Sequence, residues 1–160
     1  MAMEMQIKGL MIDPVSHMPI IVLRDASGES VLPIWVGIFE ANAIAVMLEK
    51  IVSPRPMTHD LLRSTIETLR ARVDRVVITD LRENTFFALI HLLRGDERLA
   101  VDARPSDAMA LALRANAPIF VEDAVLEKSS SGADHESEET ERLRRWLEQV
   151  DPEELGKYEM

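Results

Sequence analysis

The sequence predicts an α+β fold, a mixed β-sheet packed against about three helices and followed by a C-terminal helix. Three observations point there. Apolar runs of strand length cluster along the chain instead of alternating one for one with helices. Three stretches switch to helical periodicity, each behind a glycine or proline. Hydrophobic residues make up 47% of the 160 positions, enough for one ordinary core.

Residues 5–13 alternate weakly and end at Asp13-Pro14, a turn signal. Residues 19–24 form a short apolar run, 25–29 a hairpin loop and 30–36 a third strand, in which Pro33 implies an edge or a bulge. Gly37 breaks the pattern. Residues 38–50 are helical, with Ile38, Ala41, Ala45 and Leu48 on one face and Ile44 beside them. Residues 59–72 make a second helix with Leu62, Ile66 and Leu69 as its apolar stripe. Arg63, Glu67 and Arg70 lie at ion-pairing spacings on another face. Residues 73–81 are a Val- and Ile-rich strand, Arg82-Glu83-Asn84 its turn and 85–93 its hairpin partner. Residues 99–102 read as a further strand. Residues 105–115, rich in Ala and Leu, read as a third helix buried on most sides, and 118–121 as a last short strand.

The expected organisation is a body over residues 1–126, a linker over 127–135 and an acidic helical extension over 136–160. Lys128-Ser129-Ser130-Ser131-Gly132 has linker composition. Leu143, Trp146, Leu147 and Val150 form the stripe of a charged helix over 136–149.

Net charge is −10. Residues 127–160 hold eleven acidic and five basic side chains, and residues 1–126 hold seventeen and thirteen. Such a chain does not grip nucleic acid by phosphate neutralisation alone, so that activity needs a local basic groove or carboxylate-held metal. An aromatic content of 4% also argues against a base-stacking platform. With no cysteine, thiolate metal sites and a cysteine nucleophile are excluded, and a reducing compartment fits. The start, Met1-Ala2-Met3-Glu4, has no signal-peptide pattern, and no apolar run reaches membrane-spanning length. A soluble, cytoplasmic protein with no membrane contact is expected.

Two polar interruptions carry the chemistry. Ser53-Pro54-Arg55-Pro56-Met57-Thr58-His59-Asp60 precedes the second helix, and Asp102-Ala103-Arg104-Pro105-Ser106-Asp107 precedes the third. A helix start offers free amides and a positive dipole end to an anion. Arg55 and Arg104 suit phosphate or carboxylate by two parallel hydrogen bonds. His59 carries an imidazole, the side chain most often used for proton transfer. Asp102 and Asp107 could hold a divalent ion, Mg²⁺ or Mn²⁺ given an oxygen-only donor set. Glu40, in the first turn of the first helix, could join them. A local explanation stands beside each: Thr58 or Asp60, and Ser106 or Asp107, as helix caps, and Arg104 paired with Asp102. No phosphate-binding loop, dinucleotide fingerprint or nucleophile elbow is present, and no organic cofactor is expected.

Leu32-Pro33-Ile34-Trp35-Val36-Gly37, Glu40-Ala41, Pro54-Arg55-Pro56-Met57-Thr58-His59-Asp60-Leu61-Leu62, Asp80-Leu81, Thr85-Phe86-Phe87-Ala88 and Asp102-Ala103-Arg104-Pro105-Ser106-Asp107-Ala108-Met109-Ala110-Leu111-Ala112-Leu113-Arg114 together resemble the bifunctional nuclease family. The resemblance covers about residues 5–126, and the tail around Trp146-Leu147 resembles an extension of bacterial members. It implies a wedge-like, usually dimeric α+β subunit with a groove at its thin end, and cleavage of both DNA and RNA. Carried over by motif, His59, Asp60, Asp107 and Glu40 become catalytic candidates and Arg55, Arg104 and Ser106 substrate-binding ones. The expected function is nuclease, with divalent-metal assistance. The alternative is a regulatory module that holds an anionic ligand or a protein partner in the groove.

Overall fold

A computed structural model describes residues 1–131 together with 145–146. The expected linker residues 132–135 and nearly all of the C-terminal helix lie outside the described residues. Arg145 and Trp146, within the latter, are helical.

One mixed sheet of seven strands organises the described chain: β1 (Ala2–Ile12), β2 (Pro19–Asp25), β3 (Val31–Trp35), β4 (Arg72–Arg82), β5 (Thr85–Arg94), β6 (Glu97–Ala103) and β7 (Ile119–Glu122). Four helices accompany it: α1 (Ile38–Leu48), α2 (Thr58–Thr68), α3 (Pro105–Ala115) and α4 (Asp123–Ser131). The α+β expectation holds. Strand order is β3-β2-β1-β7-β4-β5-β6. Each half is an antiparallel meander, and β7 closes the gap, antiparallel to β1 and parallel to β4.

Local chemistry accounts for most boundaries. Pro33 sits in β3, an edge strand, where its missing amide is tolerated. Glu83 and Asn84 both have positive φ, 50° and 63°, the two-residue turn that matches strand twist. Arg70, at φ 63°, stops α2 before residue 72 and frees Arg72 to enter β4, which shortens the expected helix. β1 begins at Ala2, earlier than its alternation suggests, because residues 2–5 pair with β7.

Burial follows period two in β2. Ile21 and Leu23 enter the main core with Ile44, Ile78, Met109 and Leu111, whereas Ile20 and Val22 pack on the other face with Met11, Val31 and Trp35. α3 is the hub of the helix layer, packed on α1, α2, β4 and β5. It is buried nearly all round, as its composition predicts. Two expectations change. Ile38, placed on the apolar face of α1, is 61% exposed, and the buried face is Ala41, Ala43, Ile44 and Ala45. The Leu62 and Leu69 stripe of α2 is also exposed, and the buried residue of α2 is His59. Residues 123–131, the last five read as linker, form α4, which packs on β4 and β7 with Val125 fully buried.

Candidate active site

The first turns of α1, α2 and α3 meet. Glu40 comes from α1, His59 from α2 and Asp107 from α3, and Arg104 is the residue from which α3 starts. Asp107 lies at the centre. Its Oδ1 is 2.9 Å from His59 Nε2, and its Oδ2 accepts from Arg104 Nε and Nη2 at 3.0 and 2.8 Å. Arg104 Nη2 also donates to Glu40 Oε1 at 2.7 Å. The four side chains thus form one chain: Glu40, Arg104, Asp107, His59. An ionised carboxylate only accepts, so His59 Nε2 carries the hydrogen and Nδ1 is left to exchange a proton. Glu40 first, then Asp107, hold the Arg104 guanidinium above its usual pKa, so its charge is permanent.

Backbone features explain this convergence. Pro105 fixes the first turn of α3 and needs no amide partner there. Gly37 precedes α1, and a Cβ in its place would collide with Glu40 Oε2, so the absent side chain makes room for the carboxylate that meets Arg104. Helix dipoles favour Glu40 and Asp107, which both sit in first turns.

The polar chain forms one end of an open groove of about 880 Å³. Leu61, Leu62 and Ile66 of α2 form one wall, and Ile90, Leu92 and Val101 of β5 and β6 form the other. Phe39, 84% exposed, stands at its edge. Leu62 and Ile66 of the α2 stripe thus line the groove, whereas Leu69 lies outside it.

The candidate residues divide. His59, Asp107, Arg104 and Glu40 come together. Asp102 lines the groove on β6 but makes no hydrogen bond to the four. Arg55 is exposed in the segment before α2, does not line the groove and forms no ion pair among the described residues. Ser106 is buried in the first turn of α3, away from the groove lining. Asp60 belongs to another network: its Oδ2 accepts from the Met57 amide at 2.8 Å and its Oδ1 from Arg114 Nε at 2.9 Å. Those bonds, the amide first and the Arg114 charge after it, hold the Asp60 carboxyl below its usual pKa against an opposing burial effect. The capping explanation therefore holds for Asp60 and fails for α3, where neither Ser106 nor Asp107 caps and Arg104 pairs with Asp107 and Glu40, not Asp102.

A metal does not fit these donors as arranged. Both Asp107 oxygens are taken by His59 and Arg104, and no group of three His, Asp or Glu side chains among the described residues could hold an ion.

Arg114 ends the second motif, and sequence reading gave it no role at the site. Its side chain is 1% exposed. It donates to Asp60 on α2, to the Ala43 carbonyl on α1 at 3.0 Å and to the Ala110 carbonyl on α3 at 2.9 Å. Ala43 and Ala110 each lie three residues beyond a site residue, Glu40 and Asp107, and Asp60 adjoins His59. An arginine in an Ala- and Leu-rich helix expected to be buried was the signal, since a buried guanidinium must be paired.

Fold and site together define a single-sheet α+β protein whose open groove ends in a histidine–carboxylate–arginine chain. The bifunctional nuclease domain matches residues 21–134, most of the chain, so the protein belongs to the bifunctional nuclease family. The chain is 37% identical over 162 residues to the uncharacterized protein Rv1829 of Mycobacterium tuberculosis, covering 95% of this chain and 97% of that one. It is also 26% identical over 112 residues to bifunctional nuclease 1 of Oryza sativa subsp. japonica, covering 68% of this chain and 34% of the rice protein. No helix among the described residues is long and apolar enough to cross a membrane.

Proposed function

We propose that this protein is a cytoplasmic, homodimeric phosphodiesterase that cleaves DNA and RNA. The observation that carries the reading is the His59–Asp107 contact, braced by Arg104 at the end of an open groove. Asp107 holds the His59 ring with Nε2–H toward the carboxylate. His59 Nδ1 then takes the proton of the attacking water as its oxygen bonds to phosphorus. The departing oxygen, on the opposite side of phosphorus, takes its proton from solvent as the P–O bond breaks, and His59 Nδ1 then returns its proton to water. Arg104, two-thirds exposed at its side chain, faces the charge that grows on the phosphate oxygens. The apolar walls supply surface for the sugar and base beside the scissile phosphate.

A divalent ion has no place in this sequence of steps and enters as a variable of the test. Labelled single-stranded DNA and RNA oligonucleotides are incubated with purified wild type, His59→Ala and Asp107→Asn proteins. Each is assayed with Mg²⁺, with Mn²⁺ and with chelator. The reading expects cleavage by wild type, a large loss in both variants and little loss with chelator. Cleavage abolished by chelator alone would replace the proton-transfer scheme with a metal-assisted one. Oligonucleotide binding with no turnover in any condition would establish the regulatory-module alternative. Equal cleavage by all three proteins would mean a contaminating nuclease and end the proposal.

A further inference from the structure

Phe39 is 84% exposed at the lip of the groove, one residue before Glu40. The fold makes no use of its ring. Phe86, Phe87 and Phe120 are half-buried, and Phe87 is also covered by the Arg82 guanidinium, 4.6 Å from its ring centre. Asn42 lies three residues after Phe39, on the same side of α1, and lines the groove too. Its amide makes no hydrogen bond among the described residues.

The charges of the groove bear on what the ring holds. Among the described residues, Arg104 is the only arginine or lysine in the lining, against Glu40, Asp102 and Asp107. Phosphates alone find little net attraction there, and the chain carries −10 overall. A strand that enters is drawn by its apolar parts. In a duplex the flat faces of the bases are stacked inside, whereas an unpaired strand leaves them open to an aromatic side chain.

We propose that Phe39 and Asn42 form a subsite for one unpaired nucleobase, beside the phosphate that Arg104 faces, so that the groove takes single strands and refuses duplex. The base lies on the Phe39 ring, a contact open to every base because each has a π face. The Asn42 amide offers a donor and an acceptor to the base edge that pairing would otherwise occupy. One ring serves one base, so a low aromatic content, which argues against a platform for a run of bases, is no obstacle. This inference rests on nucleic acid as the occupant of the groove, as in the reading above, and not on its cleavage.

The test measures binding. Fluorescence anisotropy is read with a labelled single-stranded oligodeoxynucleotide, with the same strand annealed to its complement, and with strands from which one base at a time is missing. Every protein carries His59→Ala, and chelator is present, so that no strand is cut during the measurement. The single strand should bind more tightly than the duplex. Phe39→Ala should weaken the intact strand about 5- to 150-fold, the range of one base–aromatic stack. Phe39→Trp should retain the affinity, and Phe39→Leu, apolar but without a ring, should not. A strand that lacks the stacked base should already be weak and lose nothing more in Phe39→Ala or Asn42→Ala. Melting temperature should stay unchanged in Phe39→Ala, because the ring is exposed. Duplex bound as tightly as single strand, an intact strand indifferent to Phe39→Ala, or equal losses for intact and base-depleted strands would each overturn the proposal. A Phe39→Ala protein with an altered sedimentation coefficient would place the ring at a contact between copies and overturn it too. The expected pattern in strands that the wild type never cuts would support the subsite and end the phosphodiesterase reading. No binding by any protein would end both.

Discussion

Arg104 and Arg114 sit at opposite ends of one helix and are held in opposite ways. Arg104 is exposed and paired with two carboxylates, which leaves its outer face free for an anion. Arg114 is enclosed, and its donors are spent on a carboxylate and two backbone carbonyls. Different outcomes follow from removing each network. His59→Ala should lower the cleavage rate by about 10²–10⁴-fold, the usual contribution of a positioned general base, with melting temperature as the folding control. Asp60→Ala should leave the buried Arg114 charge uncompensated and cost about 3 kcal/mol in urea unfolding. Asp60 also sets a pH signature. Its folded-state pKa lies below the ordinary aspartate value of 3.8. Its contribution is therefore complete above about pH 4, and acid removes it as the pH falls through the depressed value. Urea unfolding between pH 5 and pH 2 should show that loss in wild type and a flatter profile in Asp60→Asn.

Among elements, helices that begin behind a glycine or proline were the most legible. α3 matches its expected bounds because Pro105 marks its start and its Ala–Leu run has one reading. The meanders were legible through turn residues and alternation. Three features were not. The short strand at β7 was expected, but its place between β1 and β4, neighbours from opposite parts of the chain, is encoded by no local pattern. α4 is read as linker because three serines outweigh a single buried valine. The α2 stripe has helical spacing whether it faces a core or a groove, so periodicity alone cannot tell them apart. At the site, residue types pointed to His59, Arg104, Asp107 and Glu40, but the role of Asp60 depended on Arg114, fifty-four residues away. Val125 tests the reality of α4. Val125→Ala deletes two buried methyl groups and should cost about 2 kcal/mol, measured by chemical denaturation. Gly37→Ala tests the start of α1. It should displace Glu40 from Arg104 and reproduce the activity of Glu40→Gln.

Taken whole, the molecule is an acidic body whose apolar groove ends in one exposed arginine paired with two carboxylates. Its net charge of −10 leaves little room for a long phosphate track. If Arg104 and one more cation per groove meet the backbone, the logarithm of single-strand affinity should fall with the logarithm of salt at a slope near −1.4, about −0.7 per contact. Fluorescence anisotropy over a salt series checks this, and a much steeper slope would mean an extended basic surface. Asp80, held near pKa 2 by Lys128 first and then Arg82, belongs to the exterior, where such pairs contribute little.

The position of β7 bears on how the chain acquires its shape during synthesis. β1 to β3 cannot join β4 to β6 until β7 arrives, and α1 meets α2 through α3. Both unions therefore wait for one contiguous stretch, residues 105–122. A ribosome delivering this chain exposes two unclosed meanders for several seconds, at roughly 5–20 residues per second, before the closing segment emerges. The closing contacts span most of the chain, since Met3 pairs with Val121, and such non-local pairing slows folding. Chains arrested before residue 105 should be captured by chaperones and degraded by added protease, whereas chains extruded past residue 131 should become resistant.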